Sequence, residues 1–298
     1  MSTPPITLPA EGAEGIPLEE PPQPPAYAPD NPPWGLPGAL GLLILSFVLM
    51  VVTQVVCLVP YALRRGVKLD ELPQFALNDP GAIFVQIASI IPAHLLTLGA
   101  AWLLVTRVGK LPFLKMLGLE WGWGRGLTFW RCVGLAVLLY LAGWSILQVS
   151  GPTDNALERL IQSSRAAALA TAFAATFTAP LVEELVFRGL LYSALRRLVG
   201  KVWAVAVVFL LFALIHVPQY WPSYGVIATI LLLSFTLTML RARTGRLLPC
   251  FVVHLIFNGV QSVIIVAEPY LKSYVEKNAA PSPGLLLELL LRLFGAAF

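Results

Sequence analysis

Apolar residues in this chain come in long unbroken runs rather than in alternation. From Leu36 onward the runs cover roughly 36–62, 80–105, 127–149, 166–193, 202–217, 225–240 and 247–267. Most reach or approach the ~20 residues that cross a bilayer as a helix. The shorter runs, 202–217 and 225–240, still span if the bilayer thins or flanking residues snorkel. Continuous runs favour helices over barrel strands, in which apolar and polar positions alternate. The pattern predicts an all-α fold, a polytopic transmembrane helical bundle of about seven to eight spans. The eighth is Gly284–Phe298, ~22 Å long as a helix, with Glu288 and Arg292 at i,i+4. Its alternative is a surface helix.

Two further segments break the pattern. Residues 1–33 are rich in Pro and Glu, with runs such as Pro21-Pro22-Gln23-Pro24-Pro25. Such a stretch has too little apolar surface to offset the entropy of ordering it, which predicts a disordered or polyproline-like tail. It contains no Lys or Arg and no apolar run of signal-peptide type. Residues 106–126 mix Arg107, Lys110, Lys115 and Arg125 with Leu, Phe and Trp. That suits an amphipathic segment at the interface, with Trp121 and Trp123 at headgroup level. The expected organisation is a tail (1–33), a transmembrane helical domain (36–267) with its polar motifs crowded into 166–267, and a C-terminal segment (268–298).

Composition supports lipid as the solvent: 57% of residues are hydrophobic and 12% charged, against about 25% charged in an ordinary soluble domain. The net charge is +4, and the basic residues cluster between apolar runs, as in Arg64-Arg65, Arg196-Arg197 and Arg241/Arg243/Arg246. This is membrane-flanking charge, so membrane lipids are expected as partners and nucleic acid is not. Loops near 106–126, 194–201 and 241–247 hold ten Lys/Arg, and those on the opposite side of a seven-span arrangement hold seven. The positive-inside rule then places the N-terminus in the cytoplasm, by a small margin. Cys57, Cys132 and Cys250 all lie in apolar runs and form no CxxC pair, as expected of small buried residues.

Ionisable groups within apolar runs are costly and mark function. Three patterns stand out. Glu183 and Glu184 are followed by Arg188 in the run from Ala166 to Ala194. Successive helical residues point ~100° apart, so Glu184 can pair with Arg188 at i,i+4 while Glu183 faces elsewhere. Two carboxylates in different surroundings suit acid–base work, although a buried ion pair that locks helices together needs the same residues. His216 ends the run 202–217, with Phe212 one turn before it. His254 and Asn258 project from one face of one helix, a pattern that also serves as hydrogen-bond glue between helices. Together these residues supply a carboxylate, two imidazoles and a carboxamide, the parts for activating a water and stabilising an oxyanion. No Ser or Cys has an obvious base in register. His94, the remaining histidine, has no motif around it and reads as structural.

The three motifs in this order, on separate apolar helices, resemble the CAAX-processing and bacteriocin-processing (CPBP, or Abi) family of intramembrane endopeptidases. The resemblance runs over roughly 110–267, with Phe113-Leu114…Leu117-Gly118-Leu119 similar to the stretch before that family's catalytic helices. It implies a helical bundle with a polar intramembrane cavity, and hydrolysis of a peptide bond in a membrane-associated protein or peptide. Glu183, helped by His216, would activate water, and His254 and Asn258 would face the oxyanion. Zn²⁺ held by Glu183, His216 and His254 is the alternative. The HExxH pair is missing and Asn is a poor zinc ligand, so a metal-free, cofactor-free site is favoured. Competing functions are a non-enzymatic membrane scaffold or bacteriocin-immunity protein that keeps the fold, and a transporter with a proton relay. Complete motifs argue against the first, and the lack of two repeated halves against the second. The expected location is the cell membrane of a bacterium or archaeon.

Overall fold

The computed structural model describes residues 27–120, 127–150 and 164–278, and these are helical throughout apart from connecting turns. In chain order the elements are α1 (Leu36–Arg64), α2 (Leu72–Asn78), α3 (Pro80–Ala88), α4 (Ile90–Thr106), α5 (Phe113–Leu117), α6 (Phe129–Ser150), α7 (Arg165–Phe173), α8 (Ala179–Glu183), α9 (Tyr192–Tyr220), α10 (Tyr224–Thr244) and α11 (Leu248–Asn278). Two π-helical turns, Ala174–Thr178 and Glu184–Leu191, join α7 to α8 and α8 to α9. The helix starts follow local chemistry. Pro37 opens α1 at a position that needs no N–H, while Asp79 and Ser164 cap α3 and α7 by accepting from Ala82 and Ala167 N–H.

Among the described residues, six helices are long and apolar enough to cross a membrane: Leu36–Arg64, Pro80–Thr106, Phe129–Ser150, Arg165–Tyr220, Tyr224–Thr244 and Leu248–Leu271. The chain is an integral, multi-pass membrane protein. The number of helices is below the expected seven to eight spans because two of the expected spans share one helical stretch. Runs 166–193 and 202–217 belong to one helical stretch, interrupted where Gly200 takes φ 78°, ψ 175°. The stretch doubles back there: the rings of Phe187 and Phe212 lie 5.2 Å apart, whereas a straight helix would separate these two residues by about 38 Å. Only glycine adopts that backbone without strain. The other candidate span, 284–298, lies outside the described residues, as do Trp121, Trp123 and residues 1–26.

The apolar side chains are distributed as lipid requires. α1 exposes Ile44, Val51 and Val56, a surface that belongs against acyl chains rather than water. The main core packs Leu42, Val105, Leu117, Leu190, Val208 and Phe212 around the π-turn 184–191. A second cluster joins α6, α10 and α11 through Leu139, Leu237 and Val253. Within 106–120 lies the short α5, whose Met116 and Leu117 are buried. Its C-cap, Gly118, has φ 67°, and its carbonyl accepts from the N–H of both Leu247 and Leu248, two of the orphan donors at the start of α11. The last residues of the Pro-rich stretch are also fixed. Trp34 is 4% exposed, and Arg197 and Arg107 donate to the carbonyls of Pro32 and Pro33. The disordered tail expected over 1–33 therefore does not include 27–33.

Gly118→Ala is expected to loosen this joint. A Cβ would stand 3.0 Å from Arg246 Cα, on a backbone that costs a non-glycine residue roughly 1–2 kcal/mol. A detergent melt should show a clearly lower midpoint, whereas Gly41→Ala, with open space around its Cβ, should not.

Candidate active site

Arg188 has no exposed surface. All three nitrogens of its guanidinium donate: Nη1 to Glu184 Oε1 at 3.0 Å, Nη2 to Ser234 Oγ at 2.8 Å and to Ser234 O at 3.2 Å, and Nε to Thr238 Oγ1 at 3.2 Å. Its central carbon lies 4.3 Å from the centre of the Phe212 ring. Bonding from every nitrogen, with a carboxylate among the partners, makes a buried charge tolerable. Glu184 is equally buried, and its Oε1 also accepts from His254 Nδ1 at 2.8 Å. Arg188, Glu184 and His254 thus form one closed chain linking the π-turn 184–191, α10 and α11.

Glu183 lies on the other side of its helix, with a side chain 24% exposed. Its two oxygens face two imidazoles: Oε1 is 4.0 Å from His216 Nε2, and Oε2 is 3.7 Å from His254 Nε2. Both rings are held by their other nitrogen. His216 Nδ1 donates to the carbonyl of Phe212 at 2.8 Å, which leaves Nε2 with a lone pair in the neutral ring. The Phe212 ring, 4.7 Å from His216 and 6.2 Å from His254, packs between the imidazoles and Arg188. The Phe-x-x-x-His spacing therefore supplies a wall as well as a histidine.

Asn258 is tied to the first π-turn, donating from Nδ2 to Ala175 O at 3.0 Å. One amide hydrogen and the amide oxygen remain for other partners. Nearby, Thr176 donates to Ser262 Oγ, which donates to Ala172 O. His94 bonds Thr178 Oγ1 at 2.8 Å, again on that turn. Both π-turns thus flank Glu183 and are held by side chains from other helices. Such turns occur often at functional sites.

The structure brings Glu183, Glu184, Arg188, His216 and His254 together, and sets Asn258 one helical turn beyond His254. Sequence reading missed Ser234 and Thr238, the partners of Arg188. Their signal was a small polar pair at i,i+4 within an apolar run. A cavity of about 350 Å³ is lined by Leu98, Gly99, Trp102, Phe113, Leu119, Leu181 and Leu185. It is apolar and runs beside the carboxylate-bearing helix. Among the described residues no group of three or more His, Cys, Asp or Glu side chains is gathered to hold a metal ion.

Arg188→Ala should leave Glu184 as a buried, uncompensated charge, at a cost of about 3–5 kcal/mol. The expected result is a large loss of monodisperse protein in detergent and a lower melting point. A variant with wild-type melting would refute the structural role of the pair.

No curated protein and no solved structure matches the chain. Residues 165–260, which hold every one of the motif residues, match the family model described as type II CAAX prenyl endopeptidase, Rce1-like. Over that third of the chain, the CAAX-protease family indicated by the motifs is the family to which the protein is matched.

Proposed function

We propose that the chain is an intramembrane endopeptidase in which Glu183 is the general base. The observation that carries this reading is the contrast between adjacent carboxylates. Glu184 is sealed and bonded to Arg188 and His254, while Glu183 is partly exposed between two Nε2 atoms. The 4.0 Å gap between Glu183 Oε1 and His216 Nε2 is too long for a direct hydrogen bond. A water in contact with both atoms fits that gap. Glu183 takes a proton from this water as its oxygen attacks the scissile carbonyl, and His216 Nε2 orients it by accepting its other hydrogen. The proton on Glu183 then passes to the leaving amine as the C–N bond breaks.

The developing oxyanion needs donors. The spare N–H of Asn258 is one. His254 is a second only as an imidazolium, because its Nδ1 hydrogen is committed to Glu184. No step requires a metal ion. For substrate, the family description together with the apolar cavity beside Leu181 and Leu185 supports a peptide bearing a prenyl group. The lipid chain would lie in the cavity and the peptide bond beside Glu183.

The test uses purified protein in lipid nanodiscs and a farnesylated CAAX peptide. Glu183→Gln should lower turnover by about a hundredfold or more. Asn258→Ala should lower kcat by roughly a hundredfold with little change in KM. Exhaustive chelation should leave the wild type active. Near-wild-type turnover in Glu183→Gln would remove the proposed base, and zinc that is stoichiometric and required for activity would overturn the metal-free mechanism.

A further inference from the structure

The strap that precedes α1, residues 27–34, reaches the same π-turn that carries Glu184 and Arg188. Asp30 lies between two arginines, with Oδ1 bonded to Arg196 at 2.6 Å and to Arg241 at 3.1 Å. Burial pushes the Asp30 carboxyl up, but the bonds and charges of Arg196 and Arg241 outweigh it and hold the group below its ordinary value. Arg241 is 1% exposed and spans two parts of the molecule. Its Nη1 and Nη2 hold Asp30 and the carbonyl of Pro29, and its Nε donates to the carbonyl of Arg188 at 3.2 Å. Four residues after Asp30, the indole Nε1 of Trp34 donates to the carbonyl of Leu190 at 3.2 Å.

Both acceptors lie near the C-terminal end of the π-turn. There the backbone returns from i→i+5 to i→i+4 pairing, and the N–H of Tyr192 still bonds Phe187 O. Such a return skips one carbonyl, which then needs a donor from outside the helix. Arg241 and Trp34 supply two donors at this place. Removing them favours re-pairing as a regular α-helix, which rotates the residues of the turn relative to Glu183 on α8.

We infer that Asp30, Arg241 and Trp34 are positioning residues, and that the strap keeps Glu184–Leu191 in its π register so that Arg188, Glu184 and His254 hold the geometry around Glu183. The catalytic part of this inference rests on the proposed function. The structural part does not.

Hydrogen–deuterium exchange and turnover of the farnesylated peptide, both on the full chain in nanodiscs, test the two parts separately. Trp34→Phe removes one donor and keeps the ring, and Asp30→Ala frees Arg241. Each should speed exchange at residues 184–191 by roughly three- to tenfold, the scale of one lost hydrogen bond. Exchange in α6, whose buried residues belong to the other apolar cluster from Trp34, should not change. In the same variants kcat should fall by about tenfold or more at near-constant KM, and Asp30→Glu should recover most of both effects. Unchanged exchange at 184–191 in both variants would overturn the inference, as would faster exchange everywhere, the mark of a general brace. Local loosening with unchanged turnover would overturn the positioning role. Local loosening in a protein that cleaves no peptide would support the strap and count against the proposed function.

Discussion

A guanidinium shut away from water must have its N–H groups bonded nearby, and the need to satisfy Arg188 organises the second half of this chain. Its partners come from three places: Glu184 one turn before it, Ser234 and Thr238 on α10, and the face of Phe212 on the returning arm of the Gly200 hairpin. Glu184 in turn holds His254 on α11. None of these elements can shift without uncovering a charge in a low-dielectric surrounding. That sensitivity lets an assembly of lipid-facing helices, which packs without a strong hydrophobic drive between them, keep one arrangement.

The same network assigns different work to two neighbouring carboxylates. Helix geometry turns Glu183 about 100° away from Glu184, out of the closed chain and toward the Nε2 atoms of His216 and His254. Each imidazole is fixed through Nδ1, one by a backbone carbonyl and one by Glu184. A hydrogen-bonded second nitrogen sets the tautomer and ring orientation without using the reactive atom. The two π-turns on either side of Glu183 offer the carbonyl of Ala175 to Asn258 and the carbonyls of Arg188 and Leu190 to Arg241 and Trp34.

Much of this was legible in the sequence because its periodicities are strong. Continuous apolar runs specified helices in a membrane, and the i,i+4 spacings specified which side chains share a face. The break between runs 166–193 and 202–217 was also legible, but not that one helical stretch would carry both runs and turn back at a single residue, Gly200. The π-turns were not legible either, since one extra residue in a helical turn leaves no mark in a hydrophobic pattern. Asp30 and Trp34 were hidden by their setting. A proline-rich stretch has no apolar face, and only the three-dimensional positions of Arg196, Arg241 and Leu190 show that its end is bound. The apolar cavity beside α8 likewise depends on how α4 and α5 approach it, which spacing along the chain does not encode.

The central claim is that Glu184 holds the site together while Glu183 does the chemistry. Melting temperature and turnover of Glu183→Gln and Glu184→Gln, prepared in parallel in the same nanodiscs, test it most directly. The account expects Glu183→Gln to melt like the wild type and to be inactive. It expects Glu184→Gln to lose several kcal/mol of stability, because Arg188 loses its counter-charge. A stable, inactive Glu184→Gln beside an active Glu183→Gln would contradict it.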